Sequence, residues 1–209
     1  MILESEAYVL VRHPLTESSW IVSLLTRQAG HVRAVAKAAR RVRSPFRGAL
    51  EPMNLVRVQV RQKEGQELGQ VAAATLLEGA LDLHGRWPEA GILVAAAETL
   101  ERGLPDHSPE EESFRLLAAL QRGLRAGAPP LTAWTYFLVW FMRLHGVMPS
   151  PRDERTRDVL DAFFHKSLQE LAGREFPQDV LRGLKNGVYL ALCAYLGRPL
   201  ASEEALARL

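Results

Sequence analysis

Leu55-Val56-Arg57-Val58-Gln59-Val60-Arg61 places a valine at every second position and a long polar side chain at most of the others. Successive side chains of a strand point to opposite faces, so this period of two predicts a β-strand with one buried face. Upstream, Ala7 to Val11 and Ser19 to Thr26 are rich in branched apolar residues, and Gln28-Ala29-Gly30 supplies a tight turn into His31 to Ala36. Downstream, a turn at Glu64-Gly65 leads into Leu68 to Ala74. Five short strands within the first 75 residues predict a small closed barrel, because closure removes exposed sheet edges.

After Thr75 the period changes to that of helices. Trp87-Pro88 opens a helical run to Arg102, since proline is tolerated in a first turn. Ser108-Pro109-Glu110-Glu111 has the spacing of a capping box, predicting a helix from Pro109 to about Arg125 with favourable acidic charge at its start. Pro129-Pro130 interrupts the chain. Leu131 to Leu144 is apolar on nearly every side, as a helix in the middle of a bundle would be, and His145-Gly146 ends it. Ser150-Pro151-Arg152-Asp153 starts a helix to about Ala172, Gly173 stops it, and Pro177 begins another that runs to Tyr195 before Gly197. Ser202 to Leu209 is long enough for a short last helix. No internal repeat or low-complexity segment interrupts this order.

Composition fits one large or two small globular domains: 209 residues, 47% hydrophobic and 24% charged. Cys193 is the single cysteine, so neither an internal disulfide nor a cysteine-rich zinc site is expected, and a reducing cytoplasm is the implied compartment. The flanks of Cys193 predict a buried structural thiol. No apolar stretch approaches the roughly 20 residues needed to span a bilayer, and Met1 to Glu6 lacks the pattern of a signal peptide.

Charge is segregated. The net charge is only +2, yet residues 1–78 hold eleven basic against seven acidic side chains and residues 79–209 hold fifteen against seventeen. From Ser18 to Leu50 the chain carries Arg27, Arg33, Lys37, Arg40, Arg41, Arg43 and Arg47 without one Asp or Glu. Such a field suits a polyanion, because basic side chains bind nucleic acid by neutralising phosphates and releasing counterions, without base-specific geometry. Lys37 to Arg47 is expected in the loop after the third strand, presenting guanidinium groups along one edge of the barrel. A solvated loop is the rival and ordinarily the preferred reading of any short charged run; the missing acids, together with the family resemblance given below, favour DNA. Tyr8, Trp20 and Phe46 are candidate stacking platforms for bases. Phe46 stands inside the basic loop and is carried forward, whereas Tyr8 and Trp20 lie within strands and are assigned to the core.

Catalytic motifs are absent. The six histidines form no HExxH or close ligand pair, Ser18, Ser19 and Ser23 have no evident base and orienting acid, and neither a G-x-S-x-G elbow nor a P-loop occurs. The chain is read as binding rather than making bonds. No metal, cofactor or small-molecule substrate is expected.

The order of parts resembles the RecO recombination mediators of bacterial DNA repair. The resemblance runs through Glu6-Ala7-Tyr8-Val9-Leu10, Thr16 to Thr26, Gly30, the basic Lys37-Ala38-Ala39-Arg40-Arg41, Leu50-Glu51-Pro52 and Leu76-Leu77-Glu78-Gly79. It continues in Arg143-Leu144-His145-Gly146-Val147-Met148-Pro149 and Leu196-Gly197-Arg198-Pro199-Leu200. One departure is large: family members carry a four-cysteine zinc ribbon just after the position of Pro149, whereas here Ser150-Pro151-Arg152-Asp153 leads directly into a helix. Without thiolates no such site can be built, so the module is expected to be deleted near 149–152.

The implied fold class is α+β, an N-terminal five-stranded OB barrel over residues 1–78 followed by an all-α helical bundle over 79–209. The implied function is a non-enzymatic, DNA-binding recombination mediator. It would anneal complementary strands and, with RecR, help load RecA onto DNA coated with single-stranded DNA-binding protein, in the cytoplasm and associated with the nucleoid. The alternative is an interaction adaptor that keeps partner contacts but little DNA affinity after loss of the ribbon. The DNA-contacting set is Arg33, Lys37, Arg40, Arg41, Arg43, Arg47 and Phe46, with single- and double-stranded DNA as ligands. Trp134, Tyr136, Phe137, Trp140 and Phe141 are core by default. The resemblance adds that the helical part binds the acidic C-terminal tail of single-stranded DNA-binding protein, for which Trp140, Arg143, Arg152 and Arg155 are the expected contacts.

Overall fold

A computed structural model describes residues 2–46, 48–62, 66, 68–151 and 153–206 of the chain. The turn expected at Glu64-Gly65, Arg47, Arg152 and the last three residues of the tail lie outside this range.

All five strands are present: β1 (Ile2–Pro14), β2 (Trp20–Thr26), β3 (Gly30–Ala36), β4 (Leu55–Arg61) and β5 (Gly69–Glu78). They close into a barrel in the order β1-β2-β3-β5-β4. The alternation in β4 is realised directly, with Val56, Val58 and Val60 buried and Arg57 and Arg61 exposed. β1 is far longer than its apolar stretch because two partners share it. Ile2 to Tyr8 pairs with β4 and Ala7 to Pro14 with β2, and the register shifts between Val9 and Val11. A bulge of this kind bends a strand and increases its twist, which closure of a small barrel requires. The last seam is the parallel pairing of Ala34 and Val35 with Gly69 and Gln70. Gly69 makes that approach possible, since a Cβ there would collide with the Val60 side chain.

The barrel core gathers Ala7, Val9, Val22, Leu24, Val32, Ala34, Val56, Val58, Val60 and Val71, together with Phe46, Ala49 and Leu50 from the loop between β3 and β4. In the β2–β3 hairpin, Thr26 Oγ1 accepts the Ala29 N–H at 3.0 Å and donates to the Gly30 carbonyl at 2.9 Å, while Gly30 takes a φ of 65°.

The helices are α1 (Leu81–His84), α2 (Glu89–Gly103), α3 (Glu111–Arg125), α4 (Pro130–Leu144), α5 (Glu154–His165), α6 (Gln178–Leu196) and α7 (Glu203–Leu206). Chain contacts divide the molecule into two compact units, residues 1–82 with 97–114, and residues 83–96 with 115–209. In the second unit α6 packs on α4 and α5. As the apolar run demands, α4 is buried from Leu131 to Val139 and again at Phe141 and Met142.

Three expectations about the helical part are corrected. Ser108 does not cap α3, which begins at Glu111, with the Glu110 carbonyl accepting the Phe114 N–H at 3.0 Å. α5 stops at His165 rather than near Ala172, because Ser167 and Glu170 form their own reciprocal cap: Ser167 N–H donates to the Glu170 carboxylate at 2.8 Å and Glu170 N–H to Ser167 Oγ at 3.3 Å. Cys193 is half-buried rather than buried. Elsewhere the end signals act as read: Asp153 accepts the Thr156 N–H at 2.8 Å to start α5, and Gly197 ends α6 in the left-handed region.

Candidate nucleic-acid interface

The basic residues emerge from a loop that is ordered by its own hydrogen bonds. Between Ala36 and Leu55 the alternation needed for a strand is lost, and apolar Phe46, Ala49, Leu50 and Met53 turn inward. Arg41 N–H donates to the Ala38 carbonyl at 3.2 Å and Ala49 N–H to Phe46 at 2.8 Å. Buried Asn54 ties the end of the loop: its Nδ2 donates to the carbonyls of Gly48 and Ala49, each at 3.1 Å, and its Oδ1 accepts the Ala80 N–H at 3.0 Å. With Phe46, Ala49, Leu50 and Met53 sunk inward, the loop leaves Lys37, Arg40, Arg41, Val42 and Arg43 to face water.

Phe46 is corrected. Its ring is only 6% exposed and belongs to the barrel core, so it offers no face for a base. Tyr8 is likewise buried, against Phe114 at 4.9 Å between ring centroids. Trp20 is half-buried, with the guanidinium carbons of Arg12 and Arg40 at 5.1 and 4.8 Å from its centroid.

The acids missing from the run in sequence are supplied in space from outside it. Arg33 donates to Asp106 at 2.7 Å and Arg27 to Glu6 at 2.8 Å. Arg12, beside the run, forms a two-pronged pair with Glu51 at 2.8 and 2.6 Å. Arg40 donates to the Thr16 carbonyl at 2.7 Å. Among the described residues, Lys37, Arg41 and Arg43 are the exposed cations of the run with neither an ion pair nor a side-chain hydrogen bond.

One constellation was missed in the sequence. Ser23 Oγ lies 2.8 Å from His31 Nε2, and His31 Nδ1 lies 2.7 Å from Asp106 Oδ1. Ser23, His31 and Arg33 share the face of the β2–β3 hairpin that points away from the barrel core. There they are met by the segment around Asp106, whose neighbour His107 donates its N–H to the His31 carbonyl at 2.9 Å. The resemblance to a nucleophilic triad stops at the order of residue types. Ser23 is fully buried, and the His31 N–H is not directed at the carboxylate oxygen, so no substrate can reach the hydroxyl and the base is poorly oriented. Burial pushes the His31 pKa below its ordinary value, against the opposing pull of Asp106. Burial raises Asp106, but hydrogen bonding and charge from Arg33 and the charge of His31 outweigh it, and the carboxyl stays below its usual range. The pattern is that of a polar clasp in which Ser23 and His31 are buried and Asp106 is at the surface.

In the helical unit, Trp140 and Arg143 are brought together. Trp140 Nε1 donates to the Phe163 carbonyl at 3.1 Å, and the exposed Arg143 guanidinium lies 5.3 Å from the Trp140 centroid and 3.9 Å from that of Phe164. Arg155 instead forms a two-pronged pair with Asp179 at 3.0 and 3.1 Å. Arg152 is outside the described residues.

The family model for the Recombination protein O N-terminal domain matches residues 1–80, the barrel and the chain leading out of it. By this match and by the relatives that follow, the chain is similar to proteins of the RecO family. It is 39% identical over 151 residues to a DNA repair protein RecO of Koribacter versatilis, covering 71% of this chain and 61% of the relative. It is also 36% identical to those of an Anaeromyxobacter species (strain K) and a Nocardioides species (strain ATCC BAA-499 / JS614), covering 64% and 66% of this chain and 52% and 57% of those proteins. The chain thus spans between about half and three fifths of the length of these RecO relatives. A four-thiolate zinc ribbon does not fit the residues present: Cys193 is the one cysteine, and among the described residues no cluster of three or more His, Cys, Asp or Glu is placed to hold a metal. No helix among the described residues is long and apolar enough to cross a membrane.

Proposed function

We propose that this chain is a DNA-binding mediator of recombinational repair that acts without making or breaking bonds. The observation carrying this reading is the exposed cation set Lys37, Arg40, Arg41 and Arg43 on a loop that buried Phe46, Ala49 and Leu50 fix to the barrel. An ordered loop presents its charges without a large ordering cost on binding, so released counterions contribute to affinity with little offset. The names of the relatives, DNA repair proteins, agree with this use. In the fuller form of the reading, residues 1–78 are the nucleic-acid domain and 79–209 the helical domain. The chain would anneal complementary strands and, with RecR, assist RecA loading on DNA coated with single-stranded DNA-binding protein. Arg143 over Phe164 and Trp140 is a suitable place for that protein's acidic tail, since a cation beside apolar rings matches a carboxylate beside an apolar side chain.

Replacing Lys37, Arg41 and Arg43 together by Ala tests the reading. Affinity for single and double strands is expected to fall at low salt, with the log–log salt slope reduced by about 0.7 per contact on single strands. Unchanged affinity with an intact fold removes the loop from the interface. A second reading, an adaptor with little DNA affinity, is favoured by the neutralisation of Arg27 and Arg33 by Glu6 and Asp106. The same titration separates the two, because an adaptor has no steep salt dependence to lose.

A further inference from the structure

The unit containing the barrel holds four Phe, Tyr and Trp rings, Tyr8, Trp20, Phe46 and Phe114. Tyr8, Phe46 and Phe114 are 3%, 6% and 3% exposed. Trp20 is half-buried against the core, and the two cations over its ring are tethered from behind. Arg12 is held by Glu51, while Arg40 is held through its guanidinium by the Thr16 carbonyl and through its backbone N–H by the Ser18 carbonyl at 3.0 Å. A base stacking on Trp20 would have to compete with contacts already made. Meanwhile Lys37, Arg41 and Arg43 are exposed, and Val42 between them stands clear of the surface. Charge is available where the faces of Phe, Tyr and Trp are not.

We infer that the barrel's nucleic-acid face recognises the phosphate backbone alone, so that a strand bound there keeps its bases unstacked against the protein and open for pairing. This rests on the DNA-binding reading above and specifies its ligand as the sugar-phosphate chain irrespective of base. Single-strand binders that stack bases on aromatic platforms sequester those bases, whereas a cationic edge holds only charge. A strand held by its phosphates offers its Watson–Crick edges to a second strand without first being released. Annealing is then a property of the surface chemistry rather than of a separate site.

The test uses the full chain and two single-stranded probes of equal length and charge, an oligothymidylate and the corresponding abasic deoxyribose-phosphate strand, titrated over a range of salt. The expected result is dissociation constants within about threefold of each other and equal salt slopes, because base–aromatic stacking where present is worth at least about fivefold per base. Abasic binding weaker by more than that margin overturns the inference and assigns base contacts, including any made by the guanidinium planes of Arg41 or Arg43. A Trp20→Leu variant is expected to bind oligothymidylate as the parent does. A loss of about tenfold or more with an unchanged melting curve identifies Trp20 as a platform and overturns the inference by a second route. If neither probe binds at low salt, the DNA-binding reading itself fails, and that outcome is distinct from the preceding two.

Discussion

His31 shows how one side chain joins parts of the barrel unit that are distant in sequence. Its Nε2 meets Ser23 across the β2–β3 hairpin, its Nδ1 approaches Asp106, and its carbonyl accepts the His107 N–H. Replacing His31 by Ala leaves the buried Ser23 hydroxyl without this partner, at an expected cost of about 1–3 kcal/mol. The depressed His31 pKa has a signed consequence. Between 6.5 and the lower folded value the unfolded chain binds a proton that the folded chain does not, so stability falls as pH drops through 6.5 and the loss is complete below the folded pKa. Asp106, held below 3.8, contributes stability above 3.8 that is lost as pH falls through its folded value. A His31→Gln variant should therefore lose the first of these steps and keep a smaller form of the second, since Arg33 still holds Asp106 down. Melting temperatures recorded for both proteins from about pH 7 downward check this, and parallel profiles above pH 5 would sink the assignment. Half of the clasp was legible: Ser23 pairs with Arg33, and the turn at Gln28-Ala29-Gly30 sets a register that puts His31 diagonally opposite Ser23. The other half was not, because Asp106 arrives from 73 residues beyond Arg33 and no local pattern encodes that meeting.

Two Ser-x-x-Glu sequences make the same point for elements. Ser108-Pro109-Glu110-Glu111 has the capping-box pattern and does not form one, whereas Ser167-Leu168-Gln169-Glu170 forms it and ends the preceding helix. The first is overruled by tertiary contact. The chain at Asp106 and His107 is fixed to β3, and the Ser108 carbonyl lies so close to Gly30 that a Cβ there would collide with it. At Ser167 local and tertiary demands agree, since Leu168 and Leu171 in the same turn are fully buried and a Cβ at Gly123 would strike Leu168. Ser167→Ala should consequently destabilise the chain by about 1 kcal/mol, the usual net worth of a hydrogen bond, while Ser108→Ala should be within about 0.5 kcal/mol of the parent. Denaturant midpoints of the two variants decide it; equal losses would mean that the reciprocal cap at Ser167 adds nothing beyond its packing. Strands were the more legible elements, because alternation with one buried face depends on few distant choices. The true length of β1 was not, since it reflects two partners rather than its own composition.

At the scale of the whole molecule, charge read along the chain overstates charge available on the surface. The seven cations of the run, six of them in the expected contact set, would allow as many as seven phosphate contacts, and folding brings Glu6 and Asp106 onto Arg27 and Arg33 while Arg40 turns to Trp20 and Thr16. The slope of affinity against salt counts contacts, so it distinguishes the two descriptions numerically. Seven contacts on a single strand correspond to a log–log slope near −5, and the three or four that the described residues leave exposed to a slope of about −2 to −3. We expect the shallower value for the parent protein. Asp106→Asn removes the carboxylate charge facing Arg33, so the slope should steepen by about 0.7 if DNA passes over β3 and stay unchanged if it is confined to the loop. A parent slope near −5 would show instead that phosphates displace Glu6 and Asp106 from their arginines. That is the one result in which the linear charge pattern, and not the folded arrangement, predicts the strength of binding.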